Sequence, residues 1–313
     1  MPSIWDTSGK DATYEHYRTS RNATDLRKWV DDAYTRQGLS QYLDSKYLHA
    51  LRNEDFYGRL WELELAEWLR NTSLKLIPTG GKGFDFCIEL SDGRKVWIEA
   101  VLSRPDAGLN EIGKRALASN GALYDTPVNQ TALRYTTNLA AKAEKIHQKY
   151  LSGIGKDDIV LIAISGFTPA AAVPTSRDVF ERSIMPVGSP VVHFSLDGKP
   201  LDSNVDRPTH ELQPEITKSS GALVNTEFVY PGTEYPFIDG VMFSECSNLQ
   251  QLLGTFSSSF NDDTNTPHIY QNYSGKTIPE EFRDTFYYHE WVQGSTMNKL
   301  EMRDPKRQPG TDK

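Results

Sequence analysis

Two carboxylates, Asp85 and Glu99, lie in neighbouring β-rich runs that are separated by the turn residues Ser91-Asp92-Gly93. A three-residue hairpin loop commonly ends in a left-handed glycine, and counting outward from such a loop puts Asp85 directly opposite Glu99. With a two-residue loop, Asp85 would face Ala100 instead. The turn residues therefore leave two registers open, and one of them places the two acids side by side.

Two carboxylates directly opposite each other on a sheet repel. A metal ion between them would turn that repulsion into binding, and Mg²⁺ is commonly held by one or two carboxylates with water completing its shell. Either acid alone is typical of a solvated strand residue. In the metal-free protein, the repulsion predicts that neutralising Glu99 leaves stability unchanged or raises it by up to about 1 kcal/mol.

The flanking sequence predicts helices on both sides of this hairpin. Helical periodicity covers residues 22–36, 39–51 and 54–69 before the hairpin and 129–150 after it. Residues 158–165 form a continuous apolar run, typical of a strand buried on both faces, and 237–244 resemble a further strand. This order of elements predicts an α/β or α+β fold in which helices pack against a mixed sheet.

The predicted organisation has an N-terminal helical region, a main domain and a short tail. The helical region covers residues 1–53, the main domain 54–302, and a polar, disordered tail 303–313. Within the main domain, residues 103–127 predict a long loop, and Pro, Gly and Ser mark an insertion at about 168–235.

Composition narrows the class of protein. The net charge of −8 and the pI near 5.4 disfavour broad, non-specific phosphate binding, although a local basic surface is compatible with them. No apolar run reaches the length of a membrane helix, and the first residues lack the pattern of a signal peptide. The two cysteines, Cys87 and Cys246, lie in apolar runs typical of buried free thiols, so we expect a cytoplasmic protein.

Three segments together resemble the restriction-endonuclease-like, or PD-(D/E)xK, nuclease superfamily. They are the helical residues 59–69, Gly-Phe-Asp-Phe at 83–86 and Trp-Ile-Glu-Ala-Val at 97–101. The resemblance implies a restriction-endonuclease-like core with Asp85 and Glu99 as metal ligands and Ala100 as a ligand through its carbonyl. It also assigns Glu62 as the helical glutamate of the site, whereas periodicity alone does not choose between Glu62 and Glu64.

The superfamily's usual lysine would fall at position 101, where this chain has Val101. Some members take that lysine from the following helix, which favours Lys142 here. On a helical wheel, Lys142 flanks the apolar stripe, whereas Arg134 and Lys145 lie nearly opposite it. Arg134 is a weaker candidate, for a phosphate contact.

The resemblance implies a nuclease that depends on Mg²⁺ or Mn²⁺ and acts on nucleic acid, with DNA favoured. It suggests a role in defence or DNA processing and is compatible with a homodimer. Two alternatives stay open. One is an inactive nuclease-like module that binds nucleic acid or a protein partner, which Val101 and the acidic net charge favour. The other is a metal hydrolase acting on a small phosphoester.

Overall fold

A computed structural model of the chain describes most of its length. The described residues are 3–36, 38–80, 83–104, 128–166, 177–191, 209–218, 220–229, 234–245, 249, 252, 267–293 and 300–303. The expected long loop, apart from its first two residues, and the expected tail after residue 303 lie outside these ranges. So do Cys246 and parts of the expected insertion.

The described residues form seven α-helices and twelve strands. The helices are α1 (Ala12–Thr19), α2 (Thr24–Asp31), α3 (Tyr47–Asn53), α4 (Phe56–Asn71), α5 (Val128–Lys149), α6 (Arg177–Ile184) and α7 (Glu280–Arg283). The first six strands are β1 (Lys75–Ile77), β2 (Phe86–Glu89), β3 (Lys95–Leu102), β4 (Ile159–Ser165), β5 (Val187–Val191) and β6 (Thr209–Leu212). The others are β7 (Glu215–Thr217), β8 (Leu223–Asn225), β9 (Gly240–Ser244), β10 (His268–Gln271), β11 (Tyr287–Gln293) and β12 (Leu300–Arg303).

One mixed sheet organises the chain, in the order β1-β2-β3-β4-β9-β10-β11-β12. The β3–β4, β4–β9 and β10–β11 pairs are parallel, and the remaining pairs are antiparallel. Strands β5 to β8 form two separate two-stranded antiparallel sheets within the expected insertion. The expectation of a mixed α/β architecture is therefore confirmed.

Each face of the sheet carries a hydrophobic core. The N-terminal helices and α4 pack on the first face, in a cluster that includes Val96, Ile98 and Ala100 of β3. Helices α5 and α6 pack on the second face, against Trp97 and the partly buried Val101. The side chains of β3 thus alternate between two apolar layers, as the period of a strand requires.

The hairpin that carries the two acids has a three-residue loop. Gly93 has a φ of 84°, and the backbone N–H of Leu90 donates to the carbonyl of Arg94 at 2.9 Å. Phe86 pairs with Ile98 at the end of the ladder, and Asp85, the residue before β2, donates its backbone N–H to the carbonyl of Ile98 at 3.1 Å. Of the two loops that the sequence left open, the three-residue one is correct, because the glycine supplies the left-handed residue that this loop needs.

Helix α4 begins at the capping residue Asp55, whose side chain accepts a hydrogen bond from the backbone N–H of Gly58 at 2.9 Å. Its apolar side chains enter the core on the first face, while Glu62 and Glu64 leave the helix on different flanks. The helix predicted at 54–69 is thus confirmed with slightly shifted ends.

Other boundaries differ more from the sequence expectation. The helix predicted at 22–36 ends its regular part at Asp31 and continues as a π-helical stretch to Arg36. The helix predicted at 39–51 consists of a 3₁₀ turn at Leu39–Gln41 and the shorter α3. Helix α5 matches the predicted 129–150 closely. Within the described ranges, no helix combines the length and apolarity needed to cross a membrane.

Candidate functional site

Asp85 and Glu99 lie close together at the edge where β2 begins. Asp85 directly precedes β2, and its Oδ2 accepts a hydrogen bond from the backbone N–H of Ala100 at 2.7 Å. Glu99 lies within β3, and its side chain is 1% exposed. Ala100 thus contacts Asp85 through its N–H. Because the N–H and C=O of a strand residue point to the same side, its carbonyl also faces the Asp85 edge.

Two lysines from α5 converge on one oxygen of Glu99. The Nζ atoms of Lys142 and Lys145 each lie 2.7 Å from Glu99 Oε1. The other oxygen, Oε2, is buried without a hydrogen-bond partner. One oxygen of the Glu99 carboxylate therefore has two ammonium partners, and the other has no hydrogen-bond partner.

The two lysines change the expected energetics of the acid pair. Opposed carboxylates predicted net repulsion around Glu99, but a buried carboxylate with two ammonium partners is held by charge-assisted hydrogen bonds. Removing the charge of Glu99 would leave both lysine ammonium groups without their carboxylate partner. The expectation that such a change is neutral or stabilising is therefore replaced by the opposite one.

Lys145 is a site residue that the helical wheel missed. The wheel placed it nearly opposite the buried stripe, whereas its ammonium reaches Glu99 as closely as that of Lys142. Three residues along a helix amount to a rotation of only about 60° from Lys142, and a lysine stem is long enough to lie along the surface and cover that arc. Lys145 also sits 5.0 Å from the ring centre of Tyr150.

A polar flank of α5 faces the carboxyl end of β3. Asn138 donates to Ser103 Oγ at 2.9 Å, and Arg134 donates through Nε to the carbonyl of Arg104 at 2.7 Å. Together with Lys142 and Lys145, these residues follow a spacing of four, four and three, which is one side of a helix. That spacing is the sequence signal that could have identified Lys145. Arg134 holds the chain beyond β3 in this arrangement.

Glu62 lies on the side of α4 that faces the acid pair. Its Oε2 accepts a hydrogen bond from Arg59 Nη1 at 2.6 Å. Burial, followed by the charge of Asp85, raises the pKa of Glu62 to about 8, against the opposing effects of Arg59 and Lys142. The contact with Arg59 is typical of an ionised pair, but burial dominates, so Glu62 is largely protonated at neutral pH.

Asp85 is the second perturbed acid. Burial, followed by the charge of Glu99, raises the pKa of Asp85 to about 6, while Lys142, the Ala100 N–H and Lys145 oppose the rise. The pKa of Lys145 is raised as well, because its hydrogen bond and charge interaction with Glu99 together outweigh the effect of burial. Glu62, Asp85, Glu99 and both lysines therefore form one electrostatically linked group.

The donor set fits a hard divalent cation in part. Among the described residues, no group of three or more His, Cys, Asp or Glu side chains is arranged to hold a metal. The neighbouring carboxylates of Asp85 and Glu99 remain, with a buried oxygen on Glu99 that has no hydrogen-bond partner and that a cation would satisfy. Two carboxylates with water ligands suffice for Mg²⁺, so the pair fits such an ion without a third acid.

Comparison with known proteins adds no relative. No protein-family model, no curated protein and no solved structure matches this chain.

Proposed function

We propose that this protein is a metal-dependent nuclease of the restriction-endonuclease-like type, acting with Mg²⁺ or Mn²⁺ and favouring DNA. The observation that carries the proposal is the meeting of two lysines, each 2.7 Å from the buried Glu99, beside Asp85, which accepts a hydrogen bond from the backbone N–H of Ala100. Two acids at a hairpin end and ammonium groups from the next helix are the parts that phosphodiester cleavage needs.

Asp85 and Glu99 would hold the ion, with the Ala100 carbonyl directed to the same edge. The bound metal supplies a Lewis acid for a phosphate oxygen and lowers the pKa of a coordinated water. Lys142 and Lys145 stand in for the lysine that is absent at Val101. Their ammonium groups lie beside the two acids, where they would stabilise negative charge that develops on the phosphate.

Glu62 would bind and release a proton at the same site. With its pKa near 8, it is mainly protonated at neutral pH and can exchange its proton as the local charge changes. Arg59 fixes the carboxyl through its 2.6 Å hydrogen bond. Adding a cation beside Asp85 would lower the pKa of both acids, so metal binding would release protons.

The test is cleavage of labelled single- and double-stranded DNA and RNA with Mg²⁺ or Mn²⁺ under single-turnover conditions. Asp85→Ala should abolish cleavage and weaken metal binding in calorimetry. Lys142→Ala and Lys145→Ala should each slow cleavage by about a hundred- to a thousandfold, the usual effect of losing one preorganised electrostatic contact. Lys149→Ala, on the exposed side of α5, is the matched control and should cleave at the wild-type rate.

A second candidate is an inactive nuclease-like module that binds nucleic acid or a protein. The observation in its favour is that Lys142 and Lys145 already neutralise Glu99 without a metal. The same experiment separates the two functions. If the wild type cleaves none of the four substrates with either ion yet retains one of them in a filter-binding assay, the module replaces the nuclease.

A further inference from the structure

A cavity of about 840 Å³ lies between α2 and α4, on the face of the sheet away from Lys142 and Lys145. The indoles of Trp29 and Trp68 line it, together with three carboxylates, Asp25, Glu64 and Glu67. Its other lining residues are amide, hydroxyl and leucine side chains, and none of the described lining residues is Lys, Arg or His. The volume is in the range of about 300–1,000 Å³ that is typical of small-molecule sites.

Contacts of both tryptophans and the burial of Glu64 shape the walls of this cavity. Trp29 Nε1 donates to Glu67 Oε2 at 2.8 Å, which joins α2 to α4 across the cavity. Trp68 packs on Phe286 with ring centres 5.9 Å apart. Glu64 is only 6% exposed, so its carboxylate lies deep in the wall. Glu62 and Glu64 are two residues apart on α4 and so face different surroundings. Glu64 lines the cavity, whereas Glu62 faces Asp85.

We infer that this cavity binds a small organic cation, an ammonium or quaternary ammonium compound. Aromatic faces attract such cations through the ring quadrupole, and the attraction grows when the cation is desolvated. Three acidic side chains, with no basic one among the described lining residues, favour a positively charged occupant and disfavour phosphates or carboxylates. The occupant is therefore chemically distinct from nucleic acid, and the inference does not depend on the proposed nuclease activity.

The probes are choline and 3,3-dimethylbutan-1-ol, which have the same shape and differ in the charge of the central atom. Choline should bind the full-length protein at least about tenfold more tightly, the size expected from cation–π contact and ion pairing. In ¹⁵N-labelled protein, the indole signals of Trp29 and Trp68 should shift with choline. The signal of Trp97, on the opposite face of the sheet, should stay in place.

Substitutions test which acidic side chain contributes to choline binding. Asp25→Asn should weaken choline binding several-fold and leave the neutral alcohol unaffected, and it avoids the packed core. Asp284→Asn removes an equal charge from an exposed residue next to the cavity-lining Thr285, and it should bind choline like the wild type. Trp68→Leu should weaken choline more than the alcohol.

Three results would overturn the inference. The first is equal affinity for choline and the neutral alcohol, which would make the cavity merely apolar. The second is shifts at Trp97 without shifts at Trp29 or Trp68. The third is no detectable binding of choline by a protein whose melting curve shows that it is folded.

Discussion

Replacing Glu99 with glutamine tests whether the lysines or the opposed Asp85 dominate the energy of the hairpin end. The substitution preserves the shape of a side chain that is 1% exposed and removes its charge. It weakens two charge-assisted hydrogen bonds of 2.7 Å, each of a kind that contributes about 1.5–3 kcal/mol. It also removes the repulsion with Asp85, a gain of up to about 1 kcal/mol.

The lysine side chains are 23% and 37% exposed, so water recovers part of their loss. We therefore expect the free energy of unfolding at pH 7 to fall by about 2–3 kcal/mol, below the 3–5 kcal/mol that is typical when a fully buried ion pair is broken. The assay is urea unfolding in the presence of a chelator, followed by tryptophan fluorescence and circular dichroism, with coincident transitions required.

Glu89→Gln is the matched control. It makes the same chemical change on the same hairpin, but Glu89 pairs with Lys75 at the surface, where the two side chains are 35% and 67% exposed. Its cost should be much smaller than that of Glu99→Gln, because exposed ion pairs contribute little to stability. If Glu99→Gln is as stable as the wild type or more so, the repulsion with Asp85 dominates and the role given to the lysines is wrong.

Three further predictions concern titration of the same group. The pKa of Glu62 is raised from 4.5 to about 8, so its contribution to stability is complete below pH 4.5 and is lost as the pH rises through 8. The free energy of unfolding of Glu62→Gln should therefore rise relative to that of the wild type by up to about 5 kcal/mol between pH 4.5 and pH 8. If the free energy of unfolding depends on pH with the same slope in both proteins, the prediction is wrong. The pKa of Asp85 near 6 should fall in Glu99→Gln when followed by carboxyl NMR, because the charge of Glu99 helps to raise it, and an unchanged midpoint would contradict the coupling. If Mg²⁺ binds at Asp85, its affinity should rise between pH 6 and pH 8, and calorimetry in buffers of different ionisation enthalpy should detect proton release.

Local chemistry explains what could be predicted from the sequence. The register of the hairpin follows from Gly93 and the three-residue loop, and the helical periods of α4 and α5 locate both helices. The pairing of Glu99 with Lys142 and Lys145 spans 43 and 46 residues and joins β3 to α5, so no local pattern could supply it. Periodicity likewise could not decide between the glutamates of α4, because the elements packed on each flank determine which one faces the acids.

The topology of the sheet connects position 101, where the proposed nuclease resemblance would place a lysine, with the lysines on α5. Strands β3 and β4 are parallel neighbours, so the chain between them must cross one face of the sheet, and α5 lies on the face toward which Glu99 points. Val101 points to the same face and packs partly buried against the apolar cluster there. A lysine at that position would have to leave this cluster to keep its charge hydrated. Ammonium groups on the flank of α5 reach the same carboxylate from the partly exposed side, so the fold can move the positive charge to the helix and fill position 101 with an apolar residue.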